Sequence, residues 1–191
     1  MSDAEPLSSR DYELFILHTM VDAPDDLVEE TLRRVEAGRE DMEASRRRIE
    51  EQNYIMRPAF DELSALFAPS LREEHREADG QPLLVRTFPL QIWSDFFLEI
   101  HGTPGGLIWD ERFVRADGTP SPRIDAPSQL RAWLMTKDEV EERFGALEEV
   151  ELWSPYAAYS FNHPAPDGQG EQTHIVTFSR SLLQSAKPVR S

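Results

Sequence analysis

Asp95, Glu99 and His101 lie within one seven-residue stretch and come nearest, by type and spacing, to a set that does chemistry. If Pro89 to His101 forms a helix, Asp95 and Glu99 are i,i+4 neighbours and His101 closes the same element. Such a set can relay a proton or hold a divalent cation. The plainer reading makes the two carboxylates the solvated face opposite Ile92, Trp93, Phe96, Phe97 and Ile100. His101 then complements the helix dipole near the C-terminus. The other histidines, His18, His75, His163 and His174, do not stand at helical metal-ligand spacing from one another. Glu171 and His174 are three apart on an expected strand, which sends them to opposite faces. The segment from His101 to Gly106 is glycine-rich but has no lysine to meet a phosphate, and no nucleotide-binding or hydrolase motif occurs. Cysteine is absent, which removes thiolate nucleophiles, disulfides and Cys-zinc sites together. No cofactor and no bound metal is expected, and the reading leans away from an enzyme.

Charge points towards a different kind of function. The chain of 191 residues holds 36 acidic and 20 basic residues, for a net charge of −16. That field repels nucleic-acid phosphates and anionic membranes, so neither is an expected partner, and it favours encounter with a basic protein. All the basic residues but Lys137 and Lys187 are arginines. The acids concentrate between Asp138 and Glu151, where Arg143 is the one basic residue. On a helix of about 137–148, Val140, Phe144 and Leu147 take the inner face. Glu139, Glu142 and Glu148 fall outside, as candidate partner contacts. Aromatics at Trp153, Tyr156 and Tyr159 suit a sheet edge, either as binding anchors or as ordinary strand residues. On a strand at 106–116, alternation sends Asp110 and Arg112 to one face and Trp109 and Glu111 to the other.

The elements that would position these groups fall into two regions. Residues 1–80 read as helical with a polar N-terminal tail, and 81–191 as α+β. Tyr12 to Val21 is ambiguous between strand and helix, and Ser8 and Ser9 followed by Asp11 favour a capped helix. Val28, Val35, Met42, Ile49, Met56 and Leu63 repeat every seven residues along an expected helix of about 24–56, broken at Pro58 and resumed over about 58–68. This narrow stripe asks for a helical partner within the chain or in a second copy, with Met42 and Ile49 as contacts. The polar stretch 69–82, ending in Asp79-Gly80, suggests the regional boundary. Strands are expected at 83–88, 106–116, 130–135, 150–161 and 173–183, with Thr136 and Glu139 forming a capping box.

The fold class expected is α+β: an N-terminal long helix or helical hairpin, then an antiparallel sheet of four to five strands with two packed helices. The function expected is a non-catalytic protein-interaction role of inhibitor, immunity-protein, adaptor or chaperone type, with a homodimer through residues 28–63 as one form. An enzyme or metal-binding protein built on Asp95, Glu99 and His101 is the alternative, and an acidic mimic of nucleic acid a third. The polar, acidic N-terminus has neither the basic nor the apolar part of a signal peptide, so a cytoplasmic location is expected.

Overall fold

The computed structural model describes residues 6–52, 59–153, 155–165, 168 and 170–189. Five helices are described: α1 (Ser9–Thr19), α2 (Asp25–Arg34), α3 (Arg39–Glu51), α4 (Phe60–Phe67) and α5 (Lys137–Phe144). Eight strands accompany them: β1 (Arg72–Ala78), β2 (Gln81–Pro89), β3 (Phe96–Gly102), β4 (Ile108–Arg115), β5 (Glu148–Trp153), β6 (Tyr156–Pro164), β7 (Glu171–Ser179) and β8 (Leu182–Pro188). They form two four-stranded sheets, in the orders β1-β2-β3-β4 and β5-β6-β7-β8. The fold is α+β, with two sheets where one was expected. Two compact units follow the same division, Met1–Val21 with Asp25–Arg112, and Asp22–Pro24 with Phe113–Ser191. The change of unit falls within β4, and residue 80 lies at the tip of the β1–β2 hairpin.

In the first unit α1 starts as its sequence suggests. Ser8 Oγ accepts from the Asp11 amide, and the Asp11 carboxylate accepts from the Ser8 amide at 2.9 Å. The expected long helix is instead two. Val35 to Gly38 interrupts it, with Glu36 in the left-handed region at φ 53°, and α3 restarts with Asp41 accepting from the Gly38 amide. Arg10 donates to the carbonyls of Val35 and Glu36 that end α2, so the break is braced from α1. The seven-residue stripe is core of this unit. Val28, Met42, Ile49 and Leu63 are all buried, Ile49 and Leu63 completely, and α3 packs on α1. Buried within the chain's own unit, Met42 and Ile49 do not offer the helical contact surface the sequence suggested for a second copy. Met56 and Pro58 lie outside the described residues.

α4 packs on the first sheet at β2 and β3. Phe60 rests on Gly102, where a Cβ would stand 2.3 Å from the Phe60 ring, so only glycine admits this approach. The segment expected as a helix over 89–101 is a turn followed by strand β3. Its aromatics looked helical because β3 is buried along nearly its whole length, Leu98, Glu99 and Ile100 alike, and so lacks two-residue alternation. β1 was read as a polar loop because every residue from Arg72 to Ala78 except the last is charged or His.

In the second unit, α5 covers one face of its sheet. Val140 joins Phe161, Val176, Phe178 and Leu183 in a core completed by Ile124, Leu130 and Met135. Thr136 caps α5, accepting from the Glu139 amide, as its sequence suggested. The 130–135 segment expected as a strand is turn. The long strand expected over 150–161 is the β5–β6 hairpin, and that over 173–183 is β7 and the start of β8, joined by Arg180 and Ser181 with positive φ.

Candidate functional site

The alternation of β3 brings Glu99 and His101 together, two residues apart on one face. His101 Nε2 lies 3.2 Å from Glu99 Oε2. Arg76 on β1 grips both Glu99 oxygens at 3.0 Å, and Arg112 on β4 donates its Nε at 3.1 Å. Glu99 is 3% exposed. Burial alone would raise its pKa, but the hydrogen bonds from His101 and Arg76 and the charges of Arg112 and Arg76 outweigh that and hold it at about 2. A carboxylate so deeply ionised and so fully surrounded by donors is a poor general base, and its oxygens are already occupied. Asp95 does not join this group. It is exposed in the turn before β3. Glu99 and His101 therefore organise the first sheet, linking β1, β3 and β4.

Glu111, on the opposite face of β4 from Arg112, accepts from the Tyr12 hydroxyl at 3.0 Å. That is the alternation read from the sequence, with Trp109 half-exposed. Glu13 is 1% exposed and takes the backbone amides of Gln91 and Ile92 at 2.9 and 2.7 Å, closing the turn before β3. Burial raises its pKa despite those two hydrogen bonds and the charge of Arg10. Asp11 lies at a hollow of about 400 Å³ along the α1–α3 seam, where it meets Ser45 at 3.1 Å and Arg48 at 2.9 Å. Burial would raise its pKa, but Ser8, Arg48 and Ser45 bring it below the usual carboxylate range. No group of three or more His, Cys, Asp or Glu side chains among the described residues is placed to hold a metal ion. No helix among them is long and apolar enough to cross a membrane.

The second unit presents a different surface. Glu139 is taken up internally. It accepts from Arg115 through both oxygens, at 2.9 and 2.8 Å, and from the Thr136 amide. Its side chain is 11% exposed, which removes it from any contact surface. Glu142 and Glu148 are exposed. The acidic run does not stay helical to 148, because Gly145 ends α5 with φ 93° and the chain then enters β5. All six residues of β5 are exposed. Val150, Leu152 and Trp153 are 54, 56 and 75% exposed, and Glu148, Glu149 and Glu151 sit between and beside them without an ion-pair partner among the described residues. β5 is an outer strand of its sheet, paired with β6. The acidic run was legible as a charged surface. Trp153 was legible as an aromatic at a sheet edge, but Val150 and Leu152 were missed because they read as part of one long strand. On β6 and β7, Phe161 and His174 stack at 5.5 Å, and burial, with His163 nearby, lowers the pKa of His174.

No protein-family model and no curated protein matches the chain. Among solved structures it aligns with a Streptococcus mutans protein named as a candidate beta-lactamase inhibitor protein. The two are 12% identical over 69% of this chain and 82% of that one, with a TM-score of 0.28. At that score the likeness carries no argument.

Proposed function

We propose that this chain is a non-catalytic protein-binding protein whose contact surface is β5 of the second unit, and that its partner is basic. One observation carries the reading: a whole strand is exposed while bearing three large apolar side chains, with Trp153 the most open of them. Apolar side chains of this size are normally covered, and a strand that exposes them among carboxylates is suited to an interaction site. Tryptophan at such a position is a common binding anchor, and fixed carboxylates around it select a partner of opposite charge. Inhibitor, immunity-protein and adaptor roles all work through a surface of this kind.

The test is a defined complex. The chain is purified with its bound proteins from its own cells, each co-purifying protein is re-expressed, and its binding is measured by calorimetry. The expected result is a saturable one-to-one complex that weakens with salt and loses about 2 kcal/mol of binding energy in Trp153→Asp. A Trp153→Asp variant that binds like the parent, or the lack of any saturable complex, would overturn the reading.

A further inference from the structure

The pairing of β5 with β6 decides which side chains of β5 act together. Glu148 stands opposite Ser160, Glu151 opposite Ala158 and Trp153 opposite Tyr156, with a register shift between Glu149 and Glu151. Ser160, Ala158 and Tyr156 alternate along β6 and so share one face of the sheet, which Glu148, Glu151 and Trp153 therefore share too. Glu149 and Leu152, opposite Tyr159 and Ala157, belong to the other face, the one carrying Phe161, Val176 and Phe178 under α5. The face with Trp153 continues through Thr177 to Ser185, which are hydrogen-bonded to each other at 2.8 Å. It is a platform of Ala158, Ser160, Thr177 and Ser185 with Ile175 among them, and with carboxylates and aromatics along one border.

We propose, resting on the protein-binding reading above, that this face receives an arginine-bearing segment of the partner, one guanidinium lying on Trp153 and forking to Glu151. Residues two apart on a strand are separated by roughly 6.6 Å, a distance one guanidinium can serve from its flat face and its edge together. Arginine does both at once. It stacks on an indole and pairs bidentately with a carboxylate, whereas a lysine ammonium offers a point charge. Glu148, further along the same face, meets a second cation on the segment. The chain's own lysine on this face, Lys187, is on β8, three strands away across β6 and β7, and leaves the carboxylates open. Small residues such as Ala158 and Ser160 let a backbone come close. A second copy of the chain is a poor occupant, since it would bring another −16 of charge to the same border. Addition of a strand to the β5 edge is also disfavoured, because the register shift interrupts the ladder a new strand would need to follow.

The experiment uses the full chain and two fluorescein-labelled, capped nine-residue peptides. One has three arginines spaced by alanine and glycine, and the other has lysine at the same positions. Fluorescence anisotropy should show saturable binding of the arginine peptide and at least fivefold weaker binding of the lysine peptide. Trp153→Ala and Glu151→Gln should each weaken the arginine peptide at least tenfold. Glu149→Gln makes the same charge change two residues away on the other face, and should weaken it less than threefold. Equal affinity for the two peptides, equal loss from the two glutamine variants, or no saturable binding would each overturn the inference. The protein-binding reading is judged separately, by the Trp153→Asp complex. All three positions are exposed, and unchanged circular dichroism melts would show that each variant is folded.

Discussion

β1 and β5 are outer strands of two different sheets, each rich in acids, and they handle those acids in opposite ways. On β1, Glu73 pairs with Arg86 of the neighbouring strand at 2.8 Å, and Glu74 pairs with Arg76, which also holds Glu99. No large apolar side chain occurs on it. Charged residues at a sheet edge discourage another chain from pairing there, and here Glu73 and Glu74 are also bonded to arginines of their own sheet. On β5 the carboxylates keep no such partners among the described residues, and apolar side chains stand exposed between them. Charge neutralised locally builds the fold, while charge left open beside a hydrophobic anchor is available to another molecule. Composition cannot distinguish the two. The location of the nearest arginine can.

The largest effect is expected at the heart of the neutralised side. Glu99→Ala leaves Arg76, Arg112 and His101 converging on an empty acceptor, and should lower unfolding free energy in urea by about 3–5 kcal/mol. It should leave partner binding at β5 unaffected in the folded fraction. Loss of binding with intact folding would show that the two regions are not separate in role.

Acid titration separates two buried carboxylates of the first unit by sign. Glu99 has a folded pKa near 2 against a reference of 4.5, so its stabilisation is present above pH 4.5 and is lost as pH falls towards 2. Glu13 has the opposite sign. Its pKa is raised, so the folded state holds the proton more tightly, and stability declines as pH rises from 4.5 through its folded value. Thermal melts across this range should show Glu99→Ala with a flatter acid limb and Glu13→Gln with a flatter decline above pH 4.5. If neither slope moves, the ionisation states assigned to the two carboxylates do not hold.

The smallest expected effect is at the rim of β1. Glu73→Gln removes an exposed partner of Arg86, which Asp61 continues to hold at 2.7 Å, so stability should change by less than about 1 kcal/mol. The same substitution at Glu151 should hardly change stability and should act on binding instead. A larger stability loss at Glu151 than at Glu73 would reverse the contrast.

How much of this was visible beforehand depended on whether the signal was local. The caps at Ser8–Asp11 and Thr136–Glu139 rest on residues three apart, and both were legible. The stripe of Val28, Met42, Ile49 and Leu63 was legible as apolar, but it joined two helices into one, because the left-handed turn at Glu36 leaves no mark in a seven-residue repeat. Glu99 and His101 were picked out by type and then given helical geometry. A doubly buried strand and a helix show the same dense apolar run, and only the pairing of β2 with β3 separates them. The arginines that neutralise Glu99 come from β1 and β4, at sequence separations of 23 and 13 residues, beyond the reach of any pattern. The exposed state of β5 is tertiary too, since its residues are the types that elsewhere fill a core.

The register shift in β5 has a consequence for how this surface can be inherited. Glu148 and Glu151 are three positions apart, an interval that on an unbroken strand would set them on opposite sides, and the additional residue at position 150 restores them to one side. What lineages of this protein must preserve is then the two-residue spacing from Glu151 to Trp153, more than the chain length between Glu148 and Glu151. Removal of residue 150 would take out the bulge and leave Glu148 and Glu151 two apart on an unbroken strand, still on one side, whereas a residue inserted between Glu151 and Trp153 would put those two on opposite sides in one step.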